Sequence, residues 1–250
     1  MMDLRLILHT ILALLLLLIP AGALFLLERK KLARFLFVTL RMTVQLLVLC
    51  LLVWILIRVD SPWLSMAWLL ATAVGSSWLV QKRSGIRGHS LMPAISAGLF
   101  LGVLLVGLWL LVLVLPVRAF DARWFVPVTA LLTGHSVTML IRGLSTYLSA
   151  IREDRQQYEF LLSNGHSRFQ ALQPFLRRAL LAVVQPTMAS LSVLALTSMP
   201  LLLVGMLLGG LTPVNAFALM LFMTIGCVSA SVLVFALTIL LADRILFRRR

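Results

Sequence analysis

The chain has 250 residues, of which 62% are hydrophobic and 12% are charged, and its mean hydropathy is +1.08. This composition excludes a water-soluble domain, because such a domain surrounds one apolar core with a charged surface. Apolar runs of about 18 residues or more recur along the chain and lack the alternation of apolar and polar residues typical of a membrane β-barrel. The sequence therefore predicts an all-α, polytopic integral membrane protein, whose helices satisfy the backbone hydrogen bonds within lipid.

The apolar segments predict seven transmembrane helices in one membrane domain that extends over residues 1–250. No Pro-rich, Gly/Ser-rich or low-complexity linker interrupts the sequence, so a second domain is not expected. The predicted spans cover roughly residues 6–27, 37–57, 63–80, 91–115, 125–141, 179–206 and 214–242. A signal peptide is the alternative for the first apolar run, because Ala21-Gly22-Ala23 resembles a cleavage site. We favour a span, because the charge of Asp3 offsets that of the one arginine before the run and five basic residues follow the run. This is the charge pattern of a first span whose N-terminus lies outside.

The net charge of +14 comes from basic residues that fall mainly on one side of the predicted spans. Of the 22 Lys and Arg residues, 18 lie on the side of the C-terminus, and the other four are Arg5, Arg58, Arg118 and Arg123. Because basic residues near spans stay in the cytoplasm, we expect the N-terminus outside and the C-terminus in the cytoplasm, across the inner (plasma) membrane. The basic residues are not interleaved with aromatic residues, so we expect them to bind anionic lipid headgroups and not nucleic acid.

The sequence lacks the residue patterns of the common catalytic and cofactor-binding sites. Its three lysines, Lys30, Lys31 and Lys82, do not follow a glycine as a P-loop requires, so the chain is not expected to hydrolyse ATP by itself. No G-x-S-x-G motif occurs, and all eight acidic residues fall in predicted loops or at span ends. Cys50 and Cys227 lie within predicted spans, which excludes a disulfide framework and a C-x-x-C metal site. We therefore predict that the chain is not an enzyme and binds no cofactor of its own.

The longest predicted segment outside the membrane is the cytoplasmic loop of about residues 142–178. Residues 151–162 predict an amphipathic helix, and Asn164-Gly165 predicts a left-handed C-cap at its end. Ser167 and Gln170 have the spacing of a capping box and begin a second, short helix. This second helix carries Phe169, Leu172, Leu176 and also Pro174, which either kinks it or opens the next helix.

Two helices joined by a glycine turn suit the docking of a partner protein. Tyr158 and Phe160 would act as aromatic anchors, with charged residues at the rim of the contact. The alternative is a helix that rests on the lipid surface without binding a protein. The residue pattern leaves both interpretations open.

Several motifs carry a family resemblance. Glu159 followed by Gly165 resembles the E-A-A-x-x-x-G loop by which ABC permeases contact their ATPases, although Phe160 and Leu161 replace its alanines and Arg178 replaces a proline. Further matching residues are Arg41, Gln45, Pro127, Gly134, Pro186 to Ser190, Ser198 to Pro200, Gly205, Gly210, Pro213 and Ala216. From about residue 28 to 245 the chain is similar to the bacterial iron-export ABC permease family, which includes plant aluminium-tolerance relatives.

This resemblance implies a permease subunit that exports a metal ion, iron in that family, while a separately encoded ABC ATPase hydrolyses ATP. It also implies a homodimer, because a two-fold ATPase sandwich calls for a two-fold membrane partner. The residues implied to contact the ATPase are Tyr158, Glu159, Phe160, Gly165 and Phe169. Within the membrane the family shows Asp, Lys and Asn where this chain has Ala189, Ser192 and His135. If those residues pass a cation, this chain moves a different substrate or moves it differently. A membrane-embedded scaffold without transport activity is the alternative function.

A small group of polar and sulfur-containing residues marks a candidate substrate path within the spans. His135 is the one histidine predicted inside a span, and its imidazole either binds a metal or donates one hydrogen bond between helices. Late methionines either offer thioethers to a soft cation or fill space between helices. The predicted path residues are Gln45, His135, Ser136, Met188 and Met199.

Pairs of small residues four positions apart predict close approach between helices. These pairs are Ala71 with Gly75, Gly98 with Gly102, and Gly205 with Gly209. They predict helix packing and carry no information about a substrate.

Overall fold

The computed structural model describes residue 12 and residues 15–86, 91–115, 120–193 and 201–247, with the backbone alone at residues 27, 29, 30, 168, 169, 201 and 245–247. Every regular element in these ranges is helical. The α-helices, numbered here in chain order, are α1 (Leu18–Leu27), α2 (Arg29–Val59), α3 (Pro62–Arg83), α4 (Met92–Leu108), α5 (Ala122–Glu153), α6 (Arg155–Ser163), α7 (Arg168–Ser192), α8 (Leu201–Leu208) and α9 (Pro213–Phe247). A π-helical segment, Trp109–Val114, continues α4.

Five helices in the described part of the chain are long and apolar enough to cross a membrane. These candidate spans are Lys31–Val59, Pro62–Arg83, Met92–Val114, Ala122–Glu153 and Pro213–Arg244. Each encloses, or nearly coincides with, one predicted span. The predicted span at 6–27 includes residues 6–11, 13 and 14, and that at 179–206 includes residues 194–200, all of which lie outside the described residues. The count of seven and the orientation of the termini therefore remain predictions.

Two predicted helix boundaries in the loop of about residues 142–178 are wrong. The fourth candidate span continues as α5 to Glu153, and the helix predicted from residue 151 begins only at Arg155, after a break at Asp154. The second short helix and the start of the next predicted span are one continuous helix, α7. Pro174 lies inside α7 because it removes only the N–H that would bond to the carbonyl of Gln170, an exposed residue near the start of the helix.

The contacts between residues divide the chain into two compact units, residues 1–58 and 59–250. The single domain over residues 1–250 therefore remains a prediction. Within the second unit, α5 contacts α3, α4, α7 and α9. It is the most buried candidate span, because 56% of its most apolar 18-residue window lies inside the protein. Phe125, Leu132 and Leu140 are fully buried on α5 at spacings of seven and eight residues, which repeat one helix face. The core of this unit is therefore built around α5.

Close packing between α4 and α9 depends on two glycines. A Cβ atom at Gly102 would lie 2.6 Å from Val234 Cγ2 and 3.1 Å from Val234 Cα, and one at Gly98 would overlap Thr238 Oγ1. The close approach predicted for the pair Gly98 and Gly102 is confirmed. A Cβ at Gly75 or Gly205 would meet nothing within 4 Å, so those glycines make no such approach within the described chain.

Two carboxylates hold the beginning of α5. Asp121 is the N-cap residue and accepts a hydrogen bond from the backbone N–H of Arg123 at 2.9 Å. Asp60 Oδ1, from the connection between α2 and α3, accepts a hydrogen bond from the N–H of Ala122 at 3.0 Å. The first N–H groups of a helix have no partner within the helix and carry partial positive charge, so both contacts stabilise this end.

Candidate functional site

Helices α6 and α7 are joined by a tight turn whose geometry requires glycine. Gly165 has a φ of +78°, which confirms the predicted left-handed C-cap. Its N–H donates to Leu162 O at 3.2 Å, and the N–H of His166 donates to Leu161 O at 3.2 Å. These two bonds form a Schellman motif, which satisfies the last carbonyl groups of α6.

The start of α7 has the capping box that the sequence predicts. Gln170 Oε1 accepts a hydrogen bond from the backbone N–H of Ser167 at 2.9 Å, and Ser167 Oγ accepts one from the N–H of Gln170 at 3.4 Å. Because two otherwise unpaired donors are satisfied, the first turn of α7 is held directly after the glycine turn.

Two side-chain contacts close α6 against α7. The ring of Tyr158 meets that of Phe175 edge-on, with centroids 6.4 Å apart, and Phe175 is fully buried. Arg178 Nη1 donates to Asp154 Oδ2 at 2.6 Å. Since later residues of α7 meet earlier residues of α6, the two helices form an antiparallel hairpin. We call residues 154–178 the α6–α7 hairpin.

The residues predicted to contact an ATPase differ in their exposure. Tyr158 is half-buried against α7, so it helps to hold the hairpin together. Glu159 is exposed and forms an ion pair with Arg155, at 2.8 Å between Nε and Oε1. Phe160 is 66% exposed, although it is a large apolar residue. Gly165 is exposed, and the side chain of Phe169 lies outside the described residues. The outward face of the hairpin thus presents a carboxylate, an aromatic ring and the glycine turn.

A second candidate site is a cavity of about 210 Å³ between α5, α7, α8 and α9. We call it the His135 cavity. Its lining residues are Leu131, His135, Thr187, Ser190, Leu191, Leu202, Met220, Met223, Thr224, Cys227 and Val228. No carboxylate, lysine or arginine is among them, so the described lining is polar through hydroxyl, imidazole and sulfur groups only.

The three hydroxyl groups in the described lining of the His135 cavity donate to main-chain carbonyls, but one imidazole nitrogen has no partner in this part of the chain. Thr187 Oγ1 donates to Val183 O at 3.0 Å, and Thr224 Oγ1 donates to Met220 O at 2.8 Å. His135 Nε2 is buried and has no hydrogen-bond partner among the residues that the structure describes. A buried polar atom without a partner costs about 1–3 kcal/mol, so a ligand for this nitrogen would stabilise the protein.

The predicted path residues that the structure describes in the second compact unit differ in their placement. Of these, His135 lines the cavity, whereas its neighbour Ser136 is fully buried on another side of α5 and is not part of the lining. Met188 is 62% exposed on α7, and Gln45 is exposed on α2 in the other compact unit. Met199 lies outside the described residues.

The sequence reasoning missed Thr187, Thr224 and Cys227 as cavity residues. A signal for the cysteine was present, because Met220, Met223 and Cys227 recur at the spacing of one helix face. Among the described residues, no group of three or more His, Cys, Asp or Glu side chains could hold a metal ion. A metal bound in this cavity would therefore need methionine sulfur as well as His135 and Cys227.

Comparison with known proteins gives relatives over most of the chain. It is 25% identical over 206 residues to the UPF0014 membrane protein YjkA of Bacillus subtilis, covering 79% of this chain and 81% of that protein. It is 26% identical over 178 residues to the UPF0014 membrane protein slr1647 of Synechocystis, covering 70% and 68%. Protein ALUMINUM SENSITIVE 3 of Arabidopsis thaliana is 25% identical over 166 residues, covering 64% of this chain and 57% of that protein. No solved structure matches the chain significantly.

The names of these relatives and the five apolar helices agree on the class of protein. Two relatives are named membrane proteins, and the candidate spans are distributed from α2 to α9. The chain is thus a multi-pass membrane protein. The family model described as Uncharacterised protein family UPF0014 matches residues 7–247, and the chain therefore belongs to that family.

Proposed function

We propose that this chain is the membrane-spanning permease subunit of an ABC transporter, which exports a metal ion with energy from a separately encoded ATPase. The subunit pairs with a second copy of itself in the inner (plasma) membrane, and each copy binds one ATPase on the cytoplasmic side. The ATPase is the site of ATP hydrolysis, since this sequence has no P-loop.

The observation that carries this proposal is the continuity of α7. This helix begins in the α6–α7 hairpin at Arg168 and reaches the His135 cavity at Thr187 and Ser190. At 1.5 Å per residue, the helix from Arg168 to Thr187 is about 28 Å long. A movement imposed on the hairpin by a partner would thus be transmitted along one helix to the cavity.

The chemistry of the hairpin supports a protein partner. A docking surface in water combines an apolar anchor with charged groups at its rim, and Phe160 and Glu159 supply both on adjacent exposed positions. The metal substrate is supported by the resemblance described above and by the name of the plant relative, which refers to aluminium.

The test changes the glycine turn and the carboxylate. Gly165→Val forces a β-branched residue to a φ of +78°, which costs about 1 kcal/mol or more. A Cβ at this position meets nothing within 4 Å, so the change acts on the turn without a clash inside the chain. We expect Gly165→Val and Glu159→Ala to reduce co-purification with the partner ATPase, and to reduce transport and ATP turnover in liposomes.

Two matched controls separate docking from general damage. Gly210→Val imposes the same kind of strain, at a φ of +89° with open space around the Cβ, in a turn that the predicted topology puts on the opposite side of the membrane. Glu28→Ala removes an exposed carboxylate that pairs with Lys31, as Glu159 pairs with Arg155. Both controls should retain ATPase binding. If the hairpin variants behave like the controls, the hairpin is an interfacial element and the ABC proposal loses its main support.

The alternative is a membrane-embedded scaffold or assembly partner without transport activity. The described lining of the His135 cavity contains no carboxylate, which argues against a carrier driven by a coupling ion and leaves an ATP-driven permease and a scaffold as the candidates. A neighbouring gene that encodes an ATPase with Walker motifs would favour the permease. Liposomes that contain the chain and its ATPase but move no metal ion would favour the scaffold.

A further inference from the structure

One wall of the His135 cavity is rich in sulfur. Met220, Met223 and Cys227 all line it from α9, and their spacing of three and four residues gives them one helix face. Met223 is 6% exposed and Cys227 is 9% exposed, so these two sulfur-containing side chains are shielded from the surroundings. Three sulfur groups on one face of one helix make a soft ligand set.

The opposite wall supplies a nitrogen. His135 lines the same cavity from α5, and its Nε2 is buried without a hydrogen-bond partner in the described part of the chain. A neutral imidazole nitrogen with a free lone pair is a common metal ligand. The unpaired nitrogen and the sulfur face are independent observations, and the residues that carry them line one cavity.

The cavity also excludes a class of ion by its charge. Trivalent and other hard cations take carboxylate and carbonyl oxygen ligands, and the lining that the structure describes contains no carboxylate. A thiolate at Cys227 would cancel one positive charge, so a monovalent ion leaves the buried site neutral. A trivalent ion would leave two uncompensated charges within the membrane, where each charge is costly.

We propose that the His135 cavity binds a soft monovalent cation of the copper(I) and silver(I) class. The ligands are Cys227 Sγ, Met223 Sδ and His135 Nε2, with Met220 Sδ available as a fourth. Binding breaks the S–H bond of Cys227 and releases one proton to solvent, while the metal forms the S–metal bond and no electron is transferred. The assignment of this ion as the exported substrate rests on the proposed function, whereas its binding does not.

The test measures binding to the purified full chain in lipid nanodiscs, without the ATPase. Silver(I), and copper(I) under reducing conditions, would be titrated against a competing chelator of known affinity. We expect one ion per chain, and at least a tenfold loss of affinity in Cys227→Ser, Met223→Leu and His135→Ala. Leucine has a volume close to that of methionine, so Met223→Leu removes the thioether without emptying the core.

Matched variants carry the same substitutions at exposed positions. Cys50→Ser, Met42→Leu and His166→Ala change residues that are exposed on α2 and in the turn between α6 and α7. These controls should keep the affinity of the unmodified chain. Equal losses in both sets, no loss in the cavity set, or tighter binding of iron(III) than of silver(I) would overturn the proposal.

The outcome is separable from that of the proposed function. Tight silver(I) binding that depends on the cavity, in a protein that moves no metal with its ATPase, would support the site and overturn the permease. Transport of another metal by a chain whose cavity binds no soft ion would support the permease and overturn the site. X-ray absorption of the bound copper should show scattering from sulfur and nitrogen ligands. Scattering from oxygen ligands alone would overturn the proposed site.

Discussion

The contact between α4 and α9 gives the sharpest prediction about stability. Gly98→Ala adds a methyl group that would overlap Thr238 Oγ1 and would lie 3.0 Å from both Thr238 Cα and Thr238 N. The side chain of Thr238 can rotate away, but its backbone atoms move only with the helix. Gly98→Ala should therefore separate α4 from α9 locally.

The size of the effect follows from two opposing contributions. Alanine in place of glycine within a helix stabilises it by about 0.5–1 kcal/mol, because the unfolded chain loses conformational freedom. Overpacking of a close contact costs about 1–3 kcal/mol. At Gly75, where a Cβ meets nothing within 4 Å, only the first contribution acts. The free energy of unfolding of Gly98→Ala should thus be about 1–3 kcal/mol below that of Gly75→Ala.

Reversible unfolding by sodium dodecyl sulfate in mixed micelles would measure both variants beside the unmodified chain. Gly75→Ala should be as stable as the unmodified chain or slightly more stable, and Gly98→Ala should be less stable. Gly102→Ala should resemble Gly98→Ala, because its Cβ would lie 3.1 Å from the Cα of Val234. Equal stabilities of Gly98→Ala and Gly75→Ala would refute the close approach between the two helices.

Three further predictions concern topology and helix ends. A reporter fused after Arg250 should be active in the cytoplasm, and activity only in the periplasm would contradict the orientation inferred from the basic residues. Asp60→Ala should lower the unfolding free energy by about 1 kcal/mol, because it removes the acceptor for the N–H of Ala122. Asp60→Asn should lower it less, because asparagine keeps an oxygen acceptor and tolerates the φ of +42° at this position. Ser167→Ala should lower the unfolding free energy by about 1 kcal/mol, because the capping box with Gln170 is lost. Limited proteolysis near this turn should then be faster than in the unmodified chain, and slower proteolysis would contradict the prediction.

The class of fold and most spans follow from hydropathy, because a lipid-facing helix must be apolar along its whole length. The boundaries around α7 did not follow, since proline is typical of a helix end or first turn, whereas Pro174 lies inside α7. The capping box and the positive φ of Gly165 were predictable because their signals lie within four residues. Local signals of this kind do not depend on the tertiary structure.

The His135 cavity was only partly predictable. Residue type alone identified His135, because a histidine in an apolar span is unusual. The sequence does not show which face of α9 meets α5, so Cys227 was considered only for a disulfide framework and a C-x-x-C metal site, and both were excluded. Met188 is exposed and does not line this cavity, so its place in a substrate path stays a prediction.

The π-helical segment at the end of α4 determines the direction in which the last side chains of this span point. The N–H of Leu115 donates to Leu110 O at 2.9 Å, five residues back instead of four, so this turn contains one residue more than an α-helical turn. Deleting one residue from 109–114 would restore α-helical bonding and rotate the following residues by about 100°. Leu110 and Leu111, which are both buried, could then not keep their present neighbours. A shortened chain would therefore have to repack the end of this span against α9.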